Sequence, residues 1–180
     1  MHERRFNGEI ERLRRTERVA LLEVPRVIDL CNEGVRVSSV LDVGTGSGIF
    51  AEAFAGRGMF VAGIDPNPEM LKAARGFVPS GEFQQGVIEG LPFKDNAFDL
   101  VFLGHVLHES DDLVKALAES KRCAKVRVAV LEWPYKKEES GPPIDHRLKS
   151  GDVLAAAKQL EFSTIETVQL QHMVLFRFTL

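Results

Sequence analysis

One stretch, VLDVGTGSG at residues 40–48, constrains the fold more than any other. An apolar run interrupted by a single acid enters three glycines at alternate positions, and the helix-compatible segment IFAEAFAGR follows at once. A strand that ends in a glycine turn and hands over to a helix is the opening of a βαβ unit. Such units build parallel sheets covered by helices on both faces. Gly44 and Gly46 let the backbone approach a ligand with no Cβ in the way, and Gly48 is read as allowing the helix to pack close to the strand. Between them sit Thr45 and Ser47, and the free N–H groups at the helix start face polar or anionic groups.

The rest of the chain alternates in the same way. Val37–Val43, Phe60–Ile64, Glu82–Gln84, Ala97–Leu103 and Lys125–Glu132 read as strands. Between them the pattern predicts helices over 49–57 and up to Ala74, the second with Asn67 as N-cap and Pro68 in its first position. Ser110 is expected to cap a third helix with Asp111 and Asp112 in its first turn. After a proline- and charge-rich loop at 133–149, Ser150 and Asp152 start another helix. Phe162–Val168 and His172–Thr179 close the chain; their connection is too short for a crossover, so they must be antiparallel. Ahead of the first strand, residues 8–32 carry apolar side chains at spacings of three and four, with Pro25 opening a second short helix and Gly34 ending it. The boundaries expected are an N-terminal helical cap at 1–36 and an α/β domain at 37–180.

Composition removes several classes of function. With 180 residues, 44% hydrophobic and 27% charged, the chain reads as one soluble domain able to bury a core without metals or disulfides. No apolar run approaches the ~20 residues of a membrane-spanning helix. The first residues lack an apolar leader and mix six Arg with four Glu by residue 18, which predicts no secretory or transit segment. That Arg-rich run is either a solvated helix face or a lid over a site that meets an anionic substrate. A net charge of −3 lacks the footprint of a nucleic-acid binder. Cys31 and Cys123, without a CxxC partner, are expected as buried thiols in a reducing cytoplasm.

Two acids carry the chemistry. Asp42 stands just before the glycine loop. Asp65 stands at the end of the next strand, roughly 20 residues on, where a carboxylate accepts hydrogen bonds from both hydroxyls of an adenosine ribose. Nicotinamide dinucleotides and S-adenosylmethionine both satisfy that position. The third glycine arrives one residue early for a GxGxxG pyrophosphate cradle, and Asp42 would repel a pyrophosphate while welcoming an ammonium group. The loop chemistry therefore favours S-adenosylmethionine.

DVGTGSG, GIDPNPEML and EGLPFKDNAFDLVF, in this order, resemble the class I S-adenosylmethionine-dependent methyltransferases. The likeness is to the type 11 methyltransferase domain and the ubiquinone/menaquinone-biosynthesis C-methyltransferase group, over roughly residues 38–178, with similar segments at ERLRRTERVALL and EWPYKKEESGPPIDHRL. The resemblance implies an α/β, Rossmann-like three-layer sandwich whose seven-stranded, mostly parallel sheet has an antiparallel C-terminal strand. It further implies that Asp42, Gly44, Thr45, Gly46, Ser47 and Gly48 hold the methionine end of the cofactor. Asp65 would take the ribose, flanked by Pro66 and Met70, while Gly104 and His105 line the methyl end. Relatives carry an Asp where this chain has Val87, so adenine recognition is expected from backbone near Ile88 and Glu89. A proline–glycine–glycine turn usual before the fifth strand is replaced by KRCAKVRV, with a structural rather than chemical consequence expected.

Methyl transfer from a sulfonium is an in-line displacement, in which the protein chiefly supplies geometry. Open parallel sheets place such sites at the C-terminal ends of their strands. His105 is the candidate catalytic base there, and His108, Trp133, Tyr135 and His146 are the candidate substrate contacts, with Glu132 beside them. HVLHE lacks the zinc-protease spacing, so no metal is expected. The length left over the core suits a small-molecule acceptor, with S-adenosylhomocysteine as the second product. Two further readings stay open at this point: a transfer-silent S-adenosylmethionine-binding regulatory partner and an NAD-dependent oxidoreductase.

Overall fold

A computed structural model describes residues 10–137 and 141–180. Among them, seven strands form one sheet: β1 (Ser39–Val43), β2 (Phe60–Asp65), β3 (Glu82–Gln85), β4 (Phe98–Gly104), β5 (Ala124–Glu132), β6 (Thr164–Gln169) and β7 (Val174–Thr179). Their spatial order is β3-β2-β1-β4-β5-β7-β6. The first five pair in parallel, and β7 runs antiparallel to both β5 and β6. This is the expected sandwich with its antiparallel C-terminal strand. Strand order turns back on itself at β1, which opens a crevice beyond the ends of β1 and β4.

Alternation along the strands sorts side chains into two cores. Leu100 and Phe102 of β4 face a layer made by α3 (Val24–Asn32), α4 (Ile49–Gly56) and α5 (Pro68–Phe77). Val101 and Leu103 face the opposite layer, made by α6 (Leu113–Cys123) and α7 (Ser150–Gln159). Phe102 is fully buried between the rings of Phe50 and Phe54, with centroids 4.7 and 5.4 Å away. Truncating such a residue typically costs about 3–5 kcal/mol.

Local signals explain most element boundaries. Asn67 accepts the Glu69 N–H at 2.9 Å and Pro68 opens α5, as expected. The cap of α6 differs from expectation: Asp112, not Ser110, accepts the Lys115 N–H at 3.0 Å. Ser110 instead donates its hydroxyl to the Leu107 carbonyl at 2.7 Å, closing a 3₁₀ turn at Leu107–Glu109.

The N-terminal helical run is broken twice, giving α1 (Ile10–Leu13), α2 (Thr16–Leu21) and then α3, which Glu23 enters from a left-handed φ of 48°. Pro25 lies in the first turn of α3, as expected. Residues 8 and 9 of the expected helix, with Arg4 and Arg5, lie outside the described residues. Buried arginines tie the end of α3 to the sheet. Arg127 of β5 donates to the carbonyls of Cys31 and Glu33 at 3.0 and 2.9 Å, and Arg177 of β7 donates to that of Leu30 at 3.0 Å. Cys31 and Cys123 are free and buried, as expected, and burial pushes their thiols up to about 12 and about 11. No described helix is long and apolar enough to cross a membrane.

Candidate active site

A cavity of about 840 Å³ opens beyond the C-terminal ends of β1, β2, β4 and β5. On one side lies the glycine loop. Thr45 donates its N–H to the Ile64 carbonyl at 2.9 Å, which staples the loop to β2. Gly44 and Gly46 take left-handed φ values of 68° and 53°. A Cβ at Gly44 would stand 2.5 Å from Val106, whereas one at Gly46 would meet no protein atom and would project into open space. At Gly48 a Cβ would lie 3.1 Å from Ala74 of α5. That glycine therefore serves the close approach of α4 to α5 rather than of helix to strand.

The two acids bracket this loop. Asp42 is buried and accepts the Thr45 hydroxyl at 2.7 Å; burial, chiefly, raises its carboxyl to about 7 against that hydrogen bond. Asp65 accepts the Gly46 N–H at 2.9 Å on one oxygen and the Asn67 N–H at 2.8 Å on the other. Burial raises its carboxyl too, against those two bonds. The Ser47 hydroxyl is buried with no partner. Arg14, just beyond α1, donates to the Ser47 carbonyl at 2.9 Å, pairs with Glu52 and stacks 3.4 Å from the centroid of Phe77.

The opposite wall follows β4 and β5. His105 leaves β4 at a left-handed φ of 58°, its N–H bonded to the Leu131 carbonyl at 2.9 Å. Both of its ring nitrogens are buried without partners, and its ring lies 5.4 Å from that of Trp133. Burial pushes it down to about 3, so the imidazole is neutral across the physiological range. His108 gives Nδ1 to Glu132, 2.9 Å from one carboxylate oxygen and 3.1 Å from the other. Glu132 also accepts the backbone N–H groups of His108 and Trp133, at 3.1 and 3.3 Å. Burial works against both charges, but each partner outweighs it: His108 titrates above its ordinary value and Glu132 below. Beyond them Arg147 donates to the carbonyls of Pro142, Pro134 and Lys136.

Of the residues expected at a site, the cavity wall brings together Asp42, Gly44, Thr45, Gly46, Ser47, Asp65, Pro66, Met70, Gly104, His105, His108, Trp133 and His146. Gly48, Ile88, Glu89 and Tyr135 fall outside it. Ile88 is buried in the α6–α7 core, Glu89 accepts the Asp111 N–H at 2.8 Å, and Tyr135 is exposed with the Lys149 ammonium over its ring. Val87 is exposed. The wall also takes in Arg12, Leu13, Arg18 and Leu22 from the N-terminal helices, together with Phe50. The Arg-rich patterning left a lid over a site as one of two readings of that segment, and the lining Arg12 and Arg18 favour it; no sequence signal singled out Phe50.

A family model described as a methyltransferase domain matches residues 41–130. The chain is 39% identical over 94 residues to a demethylmenaquinone methyltransferase of Chlorobaculum parvum, a match covering 52% of this chain and 39% of that protein. It is 37% identical over 91 residues to YcgJ, an uncharacterized methyltransferase of Bacillus subtilis, covering 48% and 36%. The chain thus spans well under half the length of these curated relatives. Among solved structures, an S-adenosylmethionine-dependent methyltransferase from Aquifex aeolicus superposes with a TM-score of 0.82 at 24% identity, over 94% of this chain and 96% of that one. The chain belongs to the methyltransferase-domain family and has the fold of the S-adenosylmethionine-dependent methyltransferases.

Proposed function

We propose that the chain transfers a methyl group from S-adenosylmethionine to a small-molecule acceptor in the 840 Å³ cavity. The observation that carries this reading is the Asp65 carboxylate, fixed at the cavity rim by the N–H groups of Gly46 and Asn67. Each oxygen keeps a lone pair for a sugar hydroxyl. The remaining residues suit the same cofactor. Gly46 leaves open the space that a side chain would fill, and the Ser47 hydroxyl lacks a partner. Two acids at the loop attract an ammonium and repel a pyrophosphate.

Asp42, Thr45 and the rest of the 44–48 loop take the amino-acid end. Pro66, Asn67 and Met70 take the nucleoside end, since Ile88, Glu89 and Val87 stand away from the cavity wall. When bound, S-adenosylmethionine supplies an electrophilic methyl on a sulfonium, whose displacement leaves the bonding pair on sulfur. Gly104, His105 and Trp133 then shape the space where an acceptor meets that methyl. The N-terminal helices act as a cap through Arg12, Leu13, Arg18 and Leu22 and, with Trp133, Pro142 and His146, keep water out. Leu22, Phe50, Trp133 and Pro142 line the cavity and suit a flat, apolar acceptor. The demethylmenaquinone named for one relative points the same way, toward a quinone-type ring. Nothing in the site or the comparisons favours an NAD-dependent oxidoreductase or a transfer-silent partner.

Calorimetry with S-adenosylmethionine, S-adenosylhomocysteine and NAD, on wild type and Asp65→Ala, tests the cofactor half. The expected result is micromolar-class binding of the two adenosyl thio-compounds, lost in the variant, and none of NAD; NAD binding alone rejects the proposal. A labelled-methyl screen across reduced quinones and other small-molecule pools tests the acceptor half, and transfer to none of them rejects it.

A further inference from the structure

We infer that His108, oriented by Glu132, is the proton acceptor for a hydroxyl-bearing acceptor, of phenol or enol type, bound between His108 and His105. The inference rests on the reading of the cavity as a methyl-transfer site.

Glu132 holds His108 from several directions at once: both carboxylate oxygens lie within 3.1 Å of Nδ1, and one accepts the His108 backbone N–H. A carboxylate on Nδ1 fixes the tautomer with its proton there and leaves Nε2 as the bare lone pair. His108 lines the cavity, and its Nε2 has no hydrogen-bond partner among the described residues and is not a buried orphan. That atom is the ring's outlet to the ligand space.

His105 supplies the independent observation. A left-handed backbone marks His105 as a strained position at the end of β4, and its two buried, unpartnered ring nitrogens are a cost that a bound ligand would relieve. A neutral imidazole offers one N–H and one lone pair. A hydroxyl can accept from the first while donating to Nε2 of His108, and the Trp133 ring 5.4 Å from His105 gives an aromatic acceptor a wall to lie on.

The step balances as follows. The acceptor O–H bond breaks heterolytically, its pair stays on oxygen, and the proton adds to the Nε2 lone pair, giving an imidazolium that Glu132 stabilises. The charged and titratable groups around His108 are Glu132 from β5, Glu109 from the 3₁₀ turn, Arg147 from the 133–149 loop and His105 from the end of β4. Glu132 and Glu109 favour the imidazolium and Arg147 opposes it. Arg18 reinforces the neutrality of His105, which leaves that residue the weaker base.

The test uses the full chain saturated with S-adenosylhomocysteine and unsubstituted phenol as probe, in buffer above the His108 titration, where the imidazole is neutral and the free phenol, which ionises near ~10 as a tyrosine does, stays protonated. Bound probe is expected to show the near-ultraviolet phenolate band, reduced at least about tenfold per bound molecule in His108→Asn and in Glu132→Gln. Loss of a general base typically removes about 10²–10⁴-fold in rate. Bound probe that stays protonated, no probe binding, or a band unchanged in His108→Asn would overturn the inference. Nitrogen-15 NMR of wild type needs no variant to fold: above the His108 titration it is expected to show a protonated Nδ1 and a bare Nε2, and the opposite tautomer overturns the inference. Failure of wild type to bind S-adenosylhomocysteine while the tautomer is as expected would instead remove the methyl-transfer reading beneath it.

Discussion

The Gly46 N–H and the Asp65 carboxylate meet at 2.9 Å across the cavity rim, joining the turn after β1 to the end of β2. One contact thus fixes both the loop that would hold an amino-acid tail and the acid that would hold a sugar. Because Gly46 is left-handed and faces open space, a side chain there enters the ligand's volume without striking the protein. Gly46→Val is expected to cost about 1–2 kcal/mol through backbone strain while abolishing S-adenosylhomocysteine binding. Thermal melting and calorimetry on the same sample check both halves. Unchanged affinity would place the cofactor elsewhere.

Asp42 gives a pH signature. Its folded value of about 7 lies above its unfolded value, so the folded state holds an extra proton. Its contribution to stability is full below the unfolded value of ~3.9 and is lost as pH rises through about 7. Asp42→Asn, which keeps an oxygen for the Thr45 hydroxyl, should therefore gain on wild type as pH rises through that window. The expected gain is on the order of a few kcal/mol. Denaturant melts from below ~3.9 to above about 7 read it; parallel curves for the two proteins across that window would contradict it. Binding of a ligand ammonium beside Asp42 should also release a proton near neutrality, seen as buffer-dependent binding enthalpy.

Much of this was legible in the sequence because the signals are local. The glycine loop, the Asn67–Pro68 helix start and the apolar strands depend on neighbours a few residues away. What escaped depends on distant neighbours. Ser110 and Asp112 are both good caps, and the choice between them was made by the Leu107 carbonyl, which draws the Ser110 hydroxyl into a turn. Gly48 reads as a helix–strand contact until α5 places Ala74 against it. His108 and Glu132 were each visible as residues after a strand, but their pairing requires β4 and β5 to lie side by side. Arg12 and Arg18 reach the cavity wall from a segment held by distant partners: Arg14 to the Ser47 carbonyl, and the end of α3 to Arg127 and Arg177.

The His108–Glu132 pair is buried, and breaking one side of such a pair typically costs about 3–5 kcal/mol. Glu132→Ala should fall in that range, whereas the double variant His108→Leu/Glu132→Leu should lose less than the single. Glu132 titrates low, so its contribution holds above its unfolded value and is lost as pH falls; His108 titrates high, so its contribution holds below its unfolded value and is lost as pH rises. Together they stabilise most between ~4.3 and ~6.5. Equilibrium unfolding across that range is the check, and a flat difference between wild type and the double variant would contradict it.

Arg14 latches the N-terminal helices to the glycine loop through the Ser47 carbonyl, Glu52 and the Phe77 ring. Arg14→Ala removes a cation–π contact worth about 0.5–2 kcal/mol from an otherwise intact core. Global stability should change by less than the dissociation rate of S-adenosylhomocysteine, which is expected to rise several-fold in stopped flow. An unchanged rate would mean that the helices do not close the site.

The most direct measurement is a crystal structure of the full chain grown with S-adenosylhomocysteine. The expected density places the ribose hydroxyls on Asp65, the amino-acid end along residues 44–48 and the sulfur facing His105 and His108. Nucleoside density at any other surface, or a cavity that stays free of it at saturating ligand, would contradict the assignment of this site.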